Sequence, residues 1–488
     1  MKLLKELVEG LTVTCLQGAL DTEIESLEFD SRKVKPGALF VCIEGTEVDG
    51  HAYANKAVEA GAVALLVTKP VEVPETVTVV KVEDGRKALA YASAAYFDYP
   101  AEKLKVIGVT GTKGKTTTTY MVRSVLEDAG IKTGLIGTIE AIIGEEHIPA
   151  KNTTPESFVI QEYFSRMVAC GCKAVVMEVS SQGLMMHRTD GFTFELGIFT
   201  NIEPDHIGPN EHKDFKEYMA CKGLLFKQCR YGIVNYDDPH TQDVLEGHTC
   251  EVLSYGFHEG ADIQAVNVSL EKKPGYLGVA YDTKGLVNEH FIIDMPGKFS
   301  VYNSLAAMSI CRHFGVEMDT MKRVLKTAKA RGRVEKVETG RDFTVLLDYA
   351  HNAMALNSLL STLKEYDPGR LVCVFGCGGN RSKLRRYEMG EVSGKLADMT
   401  IITSDNPRFE EPKDIMADIE IGMKKTEGTY CMIEDRGEAI LYAVKHAQAG
   451  DVIIVAGKGH EDYQEIKGVK HHMDDRELIL DALKNAGV

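Results

Sequence analysis

The chain has 488 residues, 44% of them hydrophobic and 26% charged, with a formal net charge of −16 at pH 7. That length supports about three domains, each with its own core. The acidic balance excludes an extended nucleic-acid-binding surface, which needs concentrated lysine and arginine.

The opening MKLLKELVEGLTVTC carries lysines and leucines, but acidic residues interrupt it before a continuous apolar signal region forms. No stretch has the length and hydrophobicity of a membrane span, so a cytoplasmic location without membrane insertion is expected; a monomer is expected as well. The eleven cysteines are odd in number and lie mostly in apolar segments, as reduced core thiols would. Cys170 and Cys172 form a C-x-C pair with no second pair at zinc spacing, so they are assigned to packing.

The first hundred residues read as a small α/β unit. SLEFDSRKVKPGALFVCIEG predicts strand, turn and strand, and YANKAVEAGAVALLVTK a helix followed by a strand. A boundary is expected near Ala101, after Tyr99 and Pro100. Next comes KVIGVTGTKGKTTTT, residues 105–119. An apolar strand feeding a glycine turn that opens a helix gathers backbone N–H groups and the positive helix end around one point, which suits a polyphosphate. Lys115 can reach the β- and γ-phosphates and the Thr116 hydroxyl can ligate Mg²⁺, as in P-loop sites. The general pattern wants its first glycine where Val109 stands; the glycines here are Gly108, Gly111 and Gly114.

Strands and helices then alternate through GLIGTIEA, FVIQEYFSRMVACG, KAVVMEVSS, LGIFTNI, KEYMACKGLLFKQC and YGIVNY. That rhythm predicts a mostly parallel sheet whose ligands sit beyond the carboxyl ends of its strands. A polar, β-leaning insert over about 251–295 precedes the helix GKFSVYNSLAAMSICRHFG, and AKARGRVEKVE reads as a linker. The last part repeats the alternation through FTVLLDYA, LNSLLSTLKEY, RLVCVFGCGG, MTIITSD, IMADIEIGMKK, EAILYAVKHA and DVIIVAGKG, like a second nucleotide-binding fold. No fixed-period repeat is present.

Polar groups lie just past the apolar strands. KAVVMEVSSQG places Glu178, Ser180 and Ser181 at one strand exit, and LGIFTNIEPDH places Asp205 and His206 at the next. An oxygen donor and an imidazole facing a P-loop could hold a catalytic Mg²⁺. Alone, Glu178 could equally cap a helix and His206 sit in a turn.

GVTGTKGKTTTT, NTTPES, MEVSSQGL, FTNIEPDH, YMACKGLLF, LLDYAHN, VFGCGGNR, SDNPR and AGKGHEDYQ occur in the order and approximate spacing of the Mur ligase family. The chain resembles that family from about residue 29 to 476. Within it, the resemblance is to the branch that adds the third residue of the peptidoglycan stem. It implies a three-domain α/β ligase: a UDP-sugar domain over 1–100, a central P-loop parallel-sheet ATPase domain over 101–332 and a Rossmann-like amino-acid domain over 333–488. The implied reaction is ATP-dependent addition of meso-diaminopimelate to UDP-N-acetylmuramoyl-L-alanyl-D-glutamate (UDP-MurNAc-dipeptide) through an acyl-phosphate. The alternatives are a paralogue adding L-lysine or another amino acid to this or another carboxylate acceptor, and a nucleotide-binding regulator without ligase activity.

By motif, the resemblance implies that Gly111, Thr112, Lys113, Gly114, Lys115, Thr116 and Thr117 hold ATP, with Asn303, Arg333 and Asp348 as further nucleotide contacts. Thr116, Glu178 and His206 resemble Mg²⁺ ligands. Lys222 matches the lysine carbamylated to N6-carboxylysine in this family; Lys115, Lys222, His206 and Glu178 form the implied catalytic set. For the UDP-sugar it implies Phe29, Ser31, Thr46, Glu47, Val48, Asn152, Thr153, Thr154, Ser180, Met186 and Arg188. For the amino acid it implies Arg381, Asp405, Asn406, Pro407, Arg408, Gly457 and Glu461. D-N-P-R resembles the form that selects meso-diaminopimelate, with Arg408 as a bidentate clamp for the distal carboxylate and carboxylates such as Glu461 for the distal ammonium. Gln182 stands where the family usually has His, and Asn380 where it usually has Asp.

Overall fold

In a computed structural model, residues 1–45, 48–208 and 211–486 are described; Thr46 and Glu47, expected at the UDP-sugar, lie outside them. The chain forms two compact units, Met1–Asp262 with Ala306–Glu317, and Ile263–Leu305 with Met318–Val488.

The first unit begins with a five-stranded sheet in the order Val13–Gln17, Thr78–Val82, Ala62–Val67, Ala38–Val41, Ser26–Glu28. All of its pairings are parallel except that of Val13–Gln17 with Thr78–Val82. Its alternation of buried aliphatics closes over the helix Gly85–Tyr96, whose Ala88, Leu89, Ala92 and Ala95 are small or apolar enough to lie flat on the strands.

The same unit continues into a larger sheet. Its strands run Glu146–Pro149, Glu140–Ile143, Thr133–Ile136, Ala174–Glu178, Lys105–Thr110, Phe194–Phe199, Cys229–Asn235 and Glu251–Gly256. From Thr133–Ile136 onward every pairing is parallel. Lys105–Thr110 lies between Ala174–Glu178 and Phe194–Phe199 although it precedes both in the chain, so connections leave it in opposite directions. That is a topological switch point, where an open α/β sheet forms its crevice. The segment GLIGTIEA is not one strand: the chain reverses at residues 137–139 into an antiparallel edge hairpin.

The second unit holds an antiparallel meander, Ile263–Lys273, Tyr276–Gly285 and His290–Ile293. It also holds a six-stranded sheet in the order Glu335–Val337, Thr344–Asp348, Val452–Ala456, Leu371–Phe375, Met399–Ile402, Tyr430–Met432, parallel apart from the first pairing. Apolar clusters cover both faces of the latter sheet, as its continuous runs such as LVCVF and VIIVA require. Elements not recognised in the sequence include the helices Lys383–Leu396 and Asp475–Asn485, the strand Tyr430–Met432 and the hairpin Tyr463–Ile466 with Val469–His472. All eleven cysteines are free, and eight are buried.

One charged pair is wholly internal to the second unit. Arg436 donates through Nε and Nη2 to the two oxygens of Asp475 at 2.6 and 2.7 Å, and both side chains are 0% exposed. Its remaining donors reach the carbonyls of Ser404 and Ala456, so the guanidinium ties two strand ends to the C-terminal helix. Asp475→Ala leaves that cation buried without its anion and is expected to destabilise the unit by about 3–5 kcal/mol. Urea unfolding followed by far-ultraviolet circular dichroism measures this; a shift below about 1 kcal/mol would show that the pair is not structural.

Candidate active site

The P-loop is built as the sequence suggests, by a strand that ends in strained glycine. Gly111 has φ 149°, and a Cβ there would stand 2.0 Å from Thr200 Oγ1. Gly114, at φ 87°, caps the helix Lys115–Asp128 and has no side chain of its own to offer the N–H groups of the first turn. Thr112 N donates to Asn201 O and Lys113 N to Asn201 Oδ1, both at 2.9 Å, which fixes the loop against the neighbouring strand exit.

Two lysines converge on this loop. Lys115 Nζ donates to the carbonyls of Gly111 (2.7 Å) and Thr112 (3.1 Å), and Lys222 Nζ donates to the same Gly111 carbonyl at 3.0 Å. Lys222 comes from the helix Phe215–Gly223 and is 1% exposed, with its Nζ 4.4 Å from the ring centre of Tyr218. Burial, and next the Lys115 ammonium, push its pKa well below the usual lysine range. Tyr218 OH in turn meets Thr112 Oγ1 at 3.0 Å.

Glu178 is buried at the end of its strand. Its carboxylate accepts from Thr116 Oγ1 (3.1 Å), Thr138 N (2.8 Å) and Thr138 Oγ1 (3.0 Å). Thr153 Oγ1 lies 3.0 Å from Thr138 Oγ1, and Thr154 Oγ1 donates to Glu178 O and accepts from Ser180 N. Arg188 reaches Thr154 O at 2.9 Å and Glu156 Oε1 at 2.7 Å, while its buried Nε has no partner among the described residues. Thr116 and Glu178, expected at Mg²⁺, therefore share one network with Thr153, Thr154, Ser180 and Arg188, expected at the sugar nucleotide. Asn152 is exposed and Met186 half-buried at its margin.

His206 stands apart from that network. It is exposed, at φ 54°, with Nδ1 2.9 Å from Glu211 Oε1. His212, which the sequence reading passed over, is buried instead: its Nε2 lies 2.8 Å from Ser181 Oγ and its backbone N donates to His206 O. Phe29 packs with Phe158 at 6.1 Å between ring centres; Ser31 is half-buried and Val48 exposed.

In the second unit, Asp348 closes its strand, accepting from Val334 N (2.9 Å) and Ala350 N (2.8 Å); burial raises its pKa. The Arg333 guanidinium lies 4.6 Å over the Tyr349 ring. Asn303 is buried in the helix Lys298–His313. Asp405, Asn406 and Pro407 are buried, and Asn406 Nδ2 donates to Glu461 Oε2 at 2.8 Å. Asp405 Oδ1 accepts no hydrogen bond among the described residues, and Lys458 Nζ stands 3.6 Å from it. Lys458, missed in the sequence, is 0% exposed and also lies 3.5 Å from Glu461 Oε2. Gly457 takes φ 112°, and a Cβ there would approach Asp405 Oδ2 at 3.2 Å. Arg408 is half-buried at φ 54° and Arg381 is exposed.

Three family models match in succession: the Mur ligase family catalytic domain over 23–105, the Mur ligase middle domain over 109–311 and the Mur ligase glutamate ligase domain over 332–459. The UDP-N-acetylmuramoyl-L-alanyl-D-glutamate–2,6-diaminopimelate ligase 1 of Clostridium acetobutylicum is 44% identical over 485 residues, 99% of each chain. The corresponding ligase of Caldanaerobacter subterraneus subsp. tengcongensis is 43% identical over 96% of each. A solved UDP-N-acetylmuramoyl-L-alanyl-D-glutamate–2,6-diaminopimelate ligase superposes with a TM-score of 0.73 at 27% identity, covering 99% of both chains. A MurF ligase from Thermotoga maritima, solved with ADP, shares the fold at a TM-score of 0.58 and 18% identity over 96% of this chain and 98% of that one.

His460 gives a pH test of the second unit. Burial, and next the Arg333 cation, lower its pKa to about 4 from 6.5. Between those values the unfolded chain binds a proton that the folded chain refuses, so stability falls as pH drops from about 6.5 toward about 4. His460→Asn is expected to flatten the urea midpoint over that window; an unchanged pH dependence would contradict the burial argument.

Proposed function

Since the chain belongs to the Mur ligase family, we propose that it uses ATP to join meso-diaminopimelate to UDP-N-acetylmuramoyl-L-alanyl-D-glutamate. The full-length relatives named for that reaction support both substrates. The observation that carries the ligase chemistry is the convergence of Lys115, Lys222 and the Thr116–Glu178 pair around Gly111. Functional domains at 1–100, 101–332 and 333–488, a cytoplasmic location and a monomeric state belong to the same reading. Among the described residues no helix is long and apolar enough to cross a membrane.

The γ-phosphoryl group passes to the dipeptide carboxylate, and the amine of the amino acid displaces phosphate from the acyl-phosphate. Two anions must meet, so the protein acts by positioning and charge compensation. The backbone of residues 111–117 cradles the phosphates and Lys115 faces the transferring group. Asn303, Arg333 and Asp348 complete the nucleotide contacts. Hard oxygen donors suit Mg²⁺, and the buried Glu178 carboxylate with the Thr116 hydroxyl offers them; Lys222 would add carbamate oxygens, and His206, which stands apart from Glu178 in this arrangement, would add an imidazole nitrogen. Bound there, Mg²⁺ would neutralise phosphate charge. Lys222 fits carbamylation: a buried, neutral amine adds to CO₂, forming the N–C bond and releasing a proton.

Arg188, with its unpartnered Nε, and the hydroxyls of Thr153, Thr154 and Ser180 suit the anionic sugar nucleotide. Phe29, Ser31, Val48, Asn152 and Met186 belong to that subsite. Arg381, Asp405, Asn406, Pro407, Arg408, Gly457 and Glu461 serve the amino acid.

Purified enzyme with UDP-MurNAc-dipeptide and ATP should release phosphate with meso-diaminopimelate and prefer it to L-lysine by on the order of a thousandfold, because lysine has no distal carboxylate to offer the Nη groups of Arg408. Product mass identifies the amide; equal use of lysine would refute the assignment. Lys222→Ala should be nearly inactive and partly restored by short carboxylates such as formate, which replace the carbamate oxygens. Full activity of that variant in carbonate-free buffer would exclude the carbamate.

A further inference from the structure

The hairpin Tyr463–Ile466 and Val469–His472 lies against the D-N-P-R segment in register. Arg408 N donates to Glu465 O at 2.9 Å, Lys467 N donates to Arg408 O at 2.6 Å, and Arg408 forms an isolated bridge with Ile466. Asn406 Oδ1 accepts from Glu465 N at 2.9 Å, and Gln464 Nε2 donates to Asp405 O at 2.7 Å. The backbone of Glu465 is therefore fixed by two residues of the amino-acid segment.

Its side chain returns to the same place. Arg408 Nε donates to Glu465 Oε2 at 3.3 Å, and Arg408 Nη1 donates to Gly379 O at 2.8 Å. Gly379 cannot retreat or be filled, since a Cβ there would stand 1.9 Å from Pro407 O. The guanidinium is thus held on two sides. Its Nη2 makes no hydrogen bond among the described residues, and the side chain is 24% exposed, so one edge stays open. A planar fork fixed at Nε and at one Nη1 hydrogen presents its remaining donors in a set direction, which is what recognition of a planar carboxylate needs.

We propose that Glu465 is a positioning residue for amino-acid selection: it anchors Arg408 through Nε so that the Nη edge meets the distal carboxylate of the incoming diamino acid. This rests on the role given to Arg408 above. The contacts of Glu465 are with Arg408 and Asn406 of the amino-acid segment, so its loss should act on binding of that one substrate.

The test compares Glu465→Ala with Glu465→Gln in the full chain, Gln keeping an acceptor oxygen for Nε. Loss of one charge-assisted hydrogen bond should raise KM for meso-diaminopimelate about tenfold in Glu465→Ala. The accompanying signs are kcat within about twofold, an unchanged KM for ATP and a preference over L-lysine narrowed by about the same tenfold. Glu465→Gln should stay within about threefold of the parent enzyme. The proposal is overturned if Glu465→Ala keeps the parent KM and preference, if both amino acids lose equally, or if Glu465→Gln is as impaired as Glu465→Ala. Parent enzyme that does not use meso-diaminopimelate overturns the underlying substrate reading and this inference with it. A parent preference that survives Glu465→Ala overturns this inference alone.

Discussion

Two lysine side chains share one carbonyl oxygen, that of Gly111, and the site takes its form from that constraint. Two ammonium groups on one acceptor repel each other, and the burial of Lys222 weakens the screening between them. Lys222 is the more deeply buried, so it is the one driven toward the neutral amine. Lys115 is half-buried at the helix start, where a phosphate would meet it. The strained Gly111 makes the geometry possible: only a residue without Cβ lets the carbonyl turn toward both amines while the chain passes Thr200.

The region of the second unit proposed to take the amino acid faces the opposite problem, since that role would require charges of both signs kept apart and available. Lys458 lies between Asp405 and Glu461 without closing a short ion pair to either. Asn406 donates from its amide nitrogen to Glu461 and accepts at its carbonyl oxygen from the Glu465 backbone, so it ties the hairpin and Glu461 to its own segment. Behind them, Arg386 is buried against Glu410 and Asp418, and Glu410 also accepts from Asn380 N. The loops that follow two neighbouring strands are joined through that pair. Such a network, bonded through both Arg386 Nη groups although its buried Nε has no partner among the described residues, favours one arrangement.

The strand and helix alternation was legible because parallel strands buried on both faces must be continuous apolar runs, as VIGVT, AVVME and VIIVA are. The helix Lys383–Leu396 was not, because its sequence is polar and carries Gly390 and Gly394. Those glycines are packing devices: a Cβ at Gly390 would stand 2.1 Å from Ile419 O, and one at Gly394 would stand 2.2 Å from Thr426 Oγ1. The P-loop and Glu178 were legible from their place after strands. The burial of Lys222, Lys458 and Arg436 was not, since a cation reads as a surface residue until its partners, distant in sequence, are known. His212 escaped notice for a similar reason: its partner Ser181 is thirty-one residues away.

The central claim, that burial beside a second cation leaves Lys222 an amine able to take up CO₂, has a direct spectroscopic test. Carbon-13 NMR of the intact protein in ¹³C-bicarbonate should show one carbamate carbonyl signal that is absent from Lys222→Ala and retained in Lys115→Ala. A parent spectrum without that signal, or one unchanged by Lys222→Ala, would contradict the account.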